Sequence, residues 1–437
     1  MQNLKLFLSV LLINLVIIGC TKPVPEDINQ KTGNVIFLHP DGSGLTTWHA
    51  NRILNYGPDG ESNWDRMPHT GLYRSHILNS LTTSSNAGAT IHAYGVKADY
   101  GAFGLINGKE ITAASGKNRS IMQEAMDAGM KTGLINSGNI IEPGTAVFVS
   151  SREKRSMYED IAKDVAQSGV DVILSGGEEW LLPEGVEGRY GLGKRTDGLN
   201  LISWLQDNGY TIVYTKDELS QVPQSTEKLF GVFAENHTFN AKEEEILVEK
   251  NLPLYWDYSP SLDQMMEKTI EILSYGDKKF FLVVEEEATD NFANNNNAAG
   301  VMEAVKRSDL SIGVVQKFMK KNPNTLLIVA ADSEAGGLDM IGNDYIDYKD
   351  GDLTPENDRN GAPVDGQFGA VSKPYFSKPD RNGNILPFHF VWNSYDDCYG
   401  AVIVKAEGLN EEMVSGSFDN TKIYRAMYKT LFGINIR

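Results

Sequence analysis

Asn34-Val35-Ile36-Phe37-Leu38-His39-Pro40-Asp41-Gly42-Ser43-Gly44 runs apolar and then stops abruptly at an acid and two glycines. A short apolar run closed by turn residues reads as a buried strand, and this one delivers a carboxylate into a loop. The same punctuation returns along the chain. Lys131 to Ile135 and Val170 to Gly177 are further strand segments, Phe280 to Val284 ends in three glutamates, and Leu326 to Ala331 ends at Asp332. Between them lie stretches with helical spacing of apolar residues, such as Ser156 to Ser168, Ser261 to Ser274 and Ala298 to Lys320. Strands alternating with helices predict an α/β fold with a mostly parallel central sheet and helices on both faces. Ligands of such sheets gather at the carboxyl ends of the strands. Three of the predicted strands end there in acids, so those acids are expected to converge on one site.

The composition narrows the function. The 437 residues carry 58 Asp and Glu against 40 Lys and Arg, a net charge of −18, with 7 His and 2 Cys. Phosphate backbones are gripped by clustered Lys and Arg, so no nucleic-acid partner is expected. Leu6 to Ile18 is apolar, follows Lys5 and is too short for a membrane span, which reads as a signal peptide over residues 1–19. Ile17-Ile18-Gly19-Cys20 is similar to the lipobox of bacterial lipoproteins, with an ordinary secretory signal as the alternative. On the lipobox reading Cys20 is lipidated, residues 20–33 form a tether, and the protein sits in the bacterial cell envelope, in the periplasm or on the outer membrane. Cys398 is then the one free thiol, which excludes a disulfide within the mature chain and a cysteine zinc site. Residues 34–437 are expected to form one domain with a surface insertion around 341–389, where Asp, Gly, Asn and Pro replace periodicity. Asp344 to Asp358 lacks the ordered spacing of an EF-hand and reads as a solvated loop. The tetrad Asn294 to Asn297 opens the helix that follows it, where Asn is a natural cap.

Thr82-Thr83-Ser84-Ser85 places four hydroxyls before the small-residue run Asn86-Ala87-Gly88-Ala89-Thr90. A hydroxyl at a helix N-terminus is either a plain cap or a nucleophile met by anion-binding N–H groups. Read with its neighbours, this segment resembles the nucleophile motif of the alkaline phosphatase family, Thr-Asp-Ser-Ala-x-x-Ala-Thr, with Ser85 at the nucleophile. Asp41-Gly42 resembles the family's strand-ending metal ligand. Val284 to Asn294 is similar to Val-Glu-Gly-x-x-Ile-Asp-x-x-x-His, and Ala330 to Leu338 to Thr-Ala-Asp-His-Glu-x-Gly-Gly-Leu. The resemblance implies that Asp41, Glu285, Asp290 and Asp332 are metal ligands. It places Glu142 at a magnesium position and Arg152 at the phosphate clamp, where a planar guanidinium holds two oxygens at once.

Three positions that carry histidine in the family hold Asn294, Ser333 and Asp397 here, and Ser84 replaces the acid before the nucleophile. Asn294 and Asp397 are therefore counted among the ligands. Zinc favours nitrogen and sulfur, whereas these donors bind through oxygen, so Mg²⁺ or Ca²⁺ is expected in preference to Zn²⁺ at the histidine-free site. Strand alternation would point Glu286 away from Glu285 and Glu287, making Glu286 solvent-facing. His389 is read as satisfied locally on a Phe-His-Phe strand rather than as a site residue. The implied activity is that of a metal-dependent hydrolase of phosphate monoesters acting through a phosphoserine, possessing a small anionic substrate and forming a homodimer. Two alternatives stay open at this point: recruitment of the scaffold for another ester or a saccharide-type substrate, and a non-catalytic lipid-anchored binding protein.

Overall fold

A computed structural model describes residues 31–342, 349 and 351–436. The expected signal peptide, Cys20 and most of the tether lie outside these residues, as does much of Asp344 to Asp358. In chain order the strands are β1 (Asn34–Pro40), β2 (His69–Arg74), the hairpin β3 (Leu105–Ile106) and β4 (Lys109–Glu110), β5 (Lys131–Asn139), β6 (Val172–Gly176), β7 (Thr211–Val213), β8 (Leu229–Val232) and β9 (Phe280–Glu286). They continue with β10 (Thr325–Val329), β11 (Glu334–Ala335), β12 (Asp339–Gly342), β13 (Val364–Asp365), β14 (Tyr375–Phe376), β15 (Pro387–Val391), β16 (Asp397–Cys398), β17 (Ile403–Gly408) and β18 (Gly416–Asp419).

Ten of them form the central sheet, in the order β18-β2-β17-β10-β1-β9-β5-β6-β8-β7. Its neighbours pair in parallel except where β17 runs against β10 and β2. Both faces are buried, and the strands show it residue by residue. Val35 and Phe37 of β1 join one apolar cluster, together with the helices Ile121–Asp127 and Lys422–Phe432. Ile36 and Leu38 join the other, under Leu262–Leu273 and Ala298–Met319. This is why the strands are continuous apolar runs rather than alternating ones. Asn297 caps the long helix, its side chain accepting from the Gly300 N–H at 2.6 Å.

The described residues of the 341–389 region are not all loop. They carry a small second sheet in which β15 pairs antiparallel with β12, β13 and β14. Tyr375, Phe388, Phe390 and Trp392 are buried there, so a few aromatics provide a local core that segments of two to five residues are too short to announce by periodicity. His389 is buried in β15, with its Nδ1 at 3.1 Å from Thr354 Oγ1, in keeping with a locally satisfied ring.

Candidate metal centre

The centre of the sheet sets out a row of polar groups. Asn136 of β5 lies in register with Glu285 of β9, and Glu285 in register with His39 of β1. Parallel partners share a face, and Asp41 follows His39 by two residues, so all four side chains turn to one side. Gly42 turns the chain immediately after Asp41 at φ +65°, and a Cβ there would lie 2.9 Å from Asp290 Oδ1. One donor atom each of His39, Asp41 and Glu285 lie within 4.8 Å of one another, as do atoms of Asp41, Glu287 and Asp290. Asp41 is the shared corner.

The other predicted ligands close the cluster from neighbouring elements. Asp332 follows β10 and has Gly88 against it, where a Cβ would meet Asp332 Oδ2 at 2.4 Å. Asp397 is returned by β16, paired with β11. The Asn294 amide donates to Asp290 Oδ1 at 3.0 Å and to Asp397 Oδ1 at 3.4 Å. Ser85 is the first residue of the helix Ser85–Tyr94, whose N-cap is Ser84, accepting from the Ala87 N–H. Ser84 thus has a structural task of its own where relatives carry an acid. Asp332 and Ser85 both face the Asp41 carboxyl.

Two arginines lie in different surroundings. Arg152, expected at the clamp, is ion-paired with Asp164, and its backbone N–H donates to Phe103 O at 2.8 Å. Arg155 instead reaches the acids, with Nη2 at 2.5 Å from Glu142 Oε2. Burial weakens its hold on the proton, but the charges of Glu142, Glu287 and Asp290 outweigh this and raise its pKa.

Glu286 corrects a second expectation. It does point away from Glu285, but the opposite face of the sheet is covered, so it is fully buried rather than solvent-facing. Its Oε1 accepts from Ser137 Oγ at 2.5 Å and from Tyr255 Oη at 3.3 Å. Burial lifts its pKa to about 7.

The electrostatics of the cluster suit a cation. Among the described residues, both oxygens of Asp41 and of Asp332, Glu285 Oε1, Glu287 Oε2, Asn294 Oδ1, Ser333 Oγ and His39 Nε2 are buried without a hydrogen-bond partner. Burial, reinforced by neighbouring carboxylates, pushes Glu285 up to about 8 and raises Glu287, Asp290 and Asp332 well above the usual carboxylate range. Burial also works to raise Asp41, but His39 outweighs it, with help from Asp332 and Ser85, and holds Asp41 low. An unpaired buried carboxylate costs several kcal/mol. Divalent cations remove that cost, so this donor set fits them. His39 and Arg155 were missed by the sequence reading. The alternation His39-x-Asp41 could have flagged the histidine, whereas nothing local marked the arginine.

The comparison with known proteins points to one family. A profile of the family described as alkaline phosphatase covers residues 32–359. Alkaline phosphatase 4 of Bacillus subtilis is 28% identical over 325 residues, which are 71% of this chain and 63% of that protein. The chain therefore spans less than two thirds of that relative's length. The alkaline phosphatase of Escherichia coli is 28% identical over 354 residues, 71% of this chain and 72% of its own. The structure of the alkaline phosphatase from the Antarctic bacterium TAB5 superposes with a TM-score of 0.68 at 22% identity, covering 92% of this chain and 98% of that one. A histidine-to-aspartate variant of that enzyme has Mg bound.

Proposed function

The chain belongs to the alkaline phosphatase family, and from that premise we propose that it hydrolyses a phosphate monoester with Ser85 as nucleophile. The observation that carries the reading is the set of orphaned Asp41, Glu285 and Asp332 oxygens gathered beside a hydroxyl at a helix N-terminus. Asp41, Glu285 and Asp332 would hold divalent ions there, and such ions would supply positive charge against the charge developing on the transferred group. On this reading Asp290, Asn294 and Asp397 hold an ion through oxygen alone, which suits Mg²⁺ or Ca²⁺. On this reading the Ser85 hydroxyl gives up its proton to solvent water. The Ser85 oxygen then bonds to phosphorus, the ester P–O bond breaks, and the alcohol leaves with a proton from water. Water hydrolyses the phosphoserine in turn.

Arg155, with one arm on Glu142, presents its fork to the transferred group. His237, on whose ring the charges of Glu142 and Arg155 act, lines a cleft of about 510 Å³ with Tyr190, Trp256 and Tyr258. We assign the leaving group to this cleft. We further propose that lipidated Cys20 holds the protein at the cell envelope, which mass spectrometry of an acylated N-terminal peptide would establish. For the chemistry, Ser85→Ala is expected to lower turnover of an aryl phosphate by at least about a hundredfold. Acid quenching of the wild type with radiolabelled phosphate ester should leave label on the Ser85 peptide. Wild-type turnover by Ser85→Ala would sink the mechanism.

A further inference from the structure

We infer that His39 is a metal ligand, and that Asp41 and Glu285 complete with it a mixed nitrogen and oxygen subsite distinct in chemistry from the oxygen-only side of the cluster. The inference rests on the reading of the cluster as a metal centre, and it concerns a residue to which the family motifs give no role.

The ring is fixed in a way that leaves one nitrogen available. His39 Nδ1 lies 2.7 Å from the Ala330 carbonyl oxygen, an acceptor, so Nδ1 carries the hydrogen. Nε2 is turned toward Asp41 Oδ1 at 3.4 Å and, among the described residues, has no hydrogen-bond partner. A histidine that gives one N–H to a backbone carbonyl and aims its other nitrogen at carboxylates is the arrangement in which metals are ligated. Rotation away is blocked by Phe37 and His92, whose rings lie 5.8 and 5.4 Å from that of His39.

Glu285 is prepared in the same sense. Asn136 binds Glu285 Oε2 and itself leans on Thr145 Oγ1 at 2.9 Å, which leaves Oε1 as the free oxygen. Gly144 makes room for it, since a Cβ at that position would stand 1.9 Å from Glu285 Oε1. Donor atoms of the three groups, two of them held from behind, therefore gather within 4.8 Å of one another in the interior. An imidazole donor shifts preference toward Zn²⁺ and the later first-row metals and away from Ca²⁺. The competing occupant is a proton on Nε2, which would make the pair an internal imidazolium and carboxylate.

Mn²⁺ tests the inference without reference to activity. Full-length protein stripped with chelator is loaded with Mn²⁺ and studied by pulsed electron paramagnetic resonance, alongside His39→Gln. The expected result is a directly coupled imidazole nitrogen in the wild type. That coupling should be absent in His39→Gln, and Mn²⁺ affinity should fall at least about tenfold, the lower end of what even a supporting residue contributes. Bound Mn²⁺ without nitrogen coupling in the wild type, coupling that survives in His39→Gln, or no Mn²⁺ binding would each overturn it. The wild-type spectrum decides the matter even if the variant fails to fold. Nitrogen coupling together with an unimpaired Ser85→Ala enzyme would retain this subsite and discard the phosphoserine mechanism. Oxygen-only Mn²⁺ with an inactive Ser85→Ala enzyme would do the reverse.

Discussion

Arg152 and Arg155 stand three residues apart, and their surroundings separate them completely. Arg152 is ion-paired to Asp164, while Arg155 lies among Glu142, Glu287 and Asp290. Removing a preorganised donor to the reacting group costs about a hundredfold or more. Arg155→Ala should therefore lower kcat/KM for an aryl phosphate by about that factor, and Arg152→Ala should leave it within about threefold of wild type. Steady-state kinetics would settle the order, and the opposite ranking would return the clamp to Arg152. Gly88 offers a second test at this scale. A glycine inside a helix normally gives way to alanine with a gain of about 0.5–1 kcal/mol. Here the new methyl would lie 2.4 Å from Asp332 Oδ2 and 2.5 Å from Asp332 Cβ. Gly88→Ala should instead destabilise by about 1–3 kcal/mol and weaken divalent-ion binding, both readable by urea denaturation with and without metal.

Strand ends do the assembling at the next scale. β1, β9 and β10 finish side by side, so the residues that follow them have nowhere to go but the same edge. The small second sheet is built on another principle, a few aromatics around buried polar groups. In it Asp365 accepts from Trp392 Nε1 at 2.5 Å. Burial raises Asp365 from 3.8 to about 7, against the pull of Trp392. The folded state thus holds a proton that the unfolded chain releases near 3.8. The associated stability is fully present below that value and is lost as pH rises through about 7. Asp365→Asn retains a hydrogen-bond acceptor for Trp392 and removes the titration. Between pH 4 and pH 8 its melting temperature should fall less than that of the wild type, and parallel curves would refute the assignment.

For the whole molecule, the metal centre joins segments that are far apart in the chain, from Asp41 to Asp397. Any ion that binds only the folded state stabilises it by about 2.7 kcal/mol at a hundred times its dissociation constant. Chelator should therefore lower the melting temperature, and Mg²⁺ or Mn²⁺ should restore it in a concentration-dependent way. An unchanged calorimetric transition would argue against a metal centre. The α/β class, the buried strands and the acids at their ends were legible from residue order, because apolar runs closed by acid and glycine are local features. The strand-ending acids Asp41, Glu285 and Asp332 were legible in the same way, whereas Ser85, Asp290 and Asp397 were reached through the family motifs they resemble. Three assignments depended on what packs where. Alternation indicated that Glu286 points away from Glu285, yet only the covering helices make that face an interior. Spacing brought an arginine to the neighbourhood, yet only the path after the helix Pro143–Ala146 sets Arg155 among Glu142, Glu287 and Asp290. His39 looked like one more residue in an apolar run, and its meaning arises from register, which sets it beside Glu285 across two strands that lie about 240 residues apart in the chain. Local order can state which side of a strand a residue takes, but its partners come from the neighbouring strand, and pairing at that distance is decided by the burial of the whole sheet.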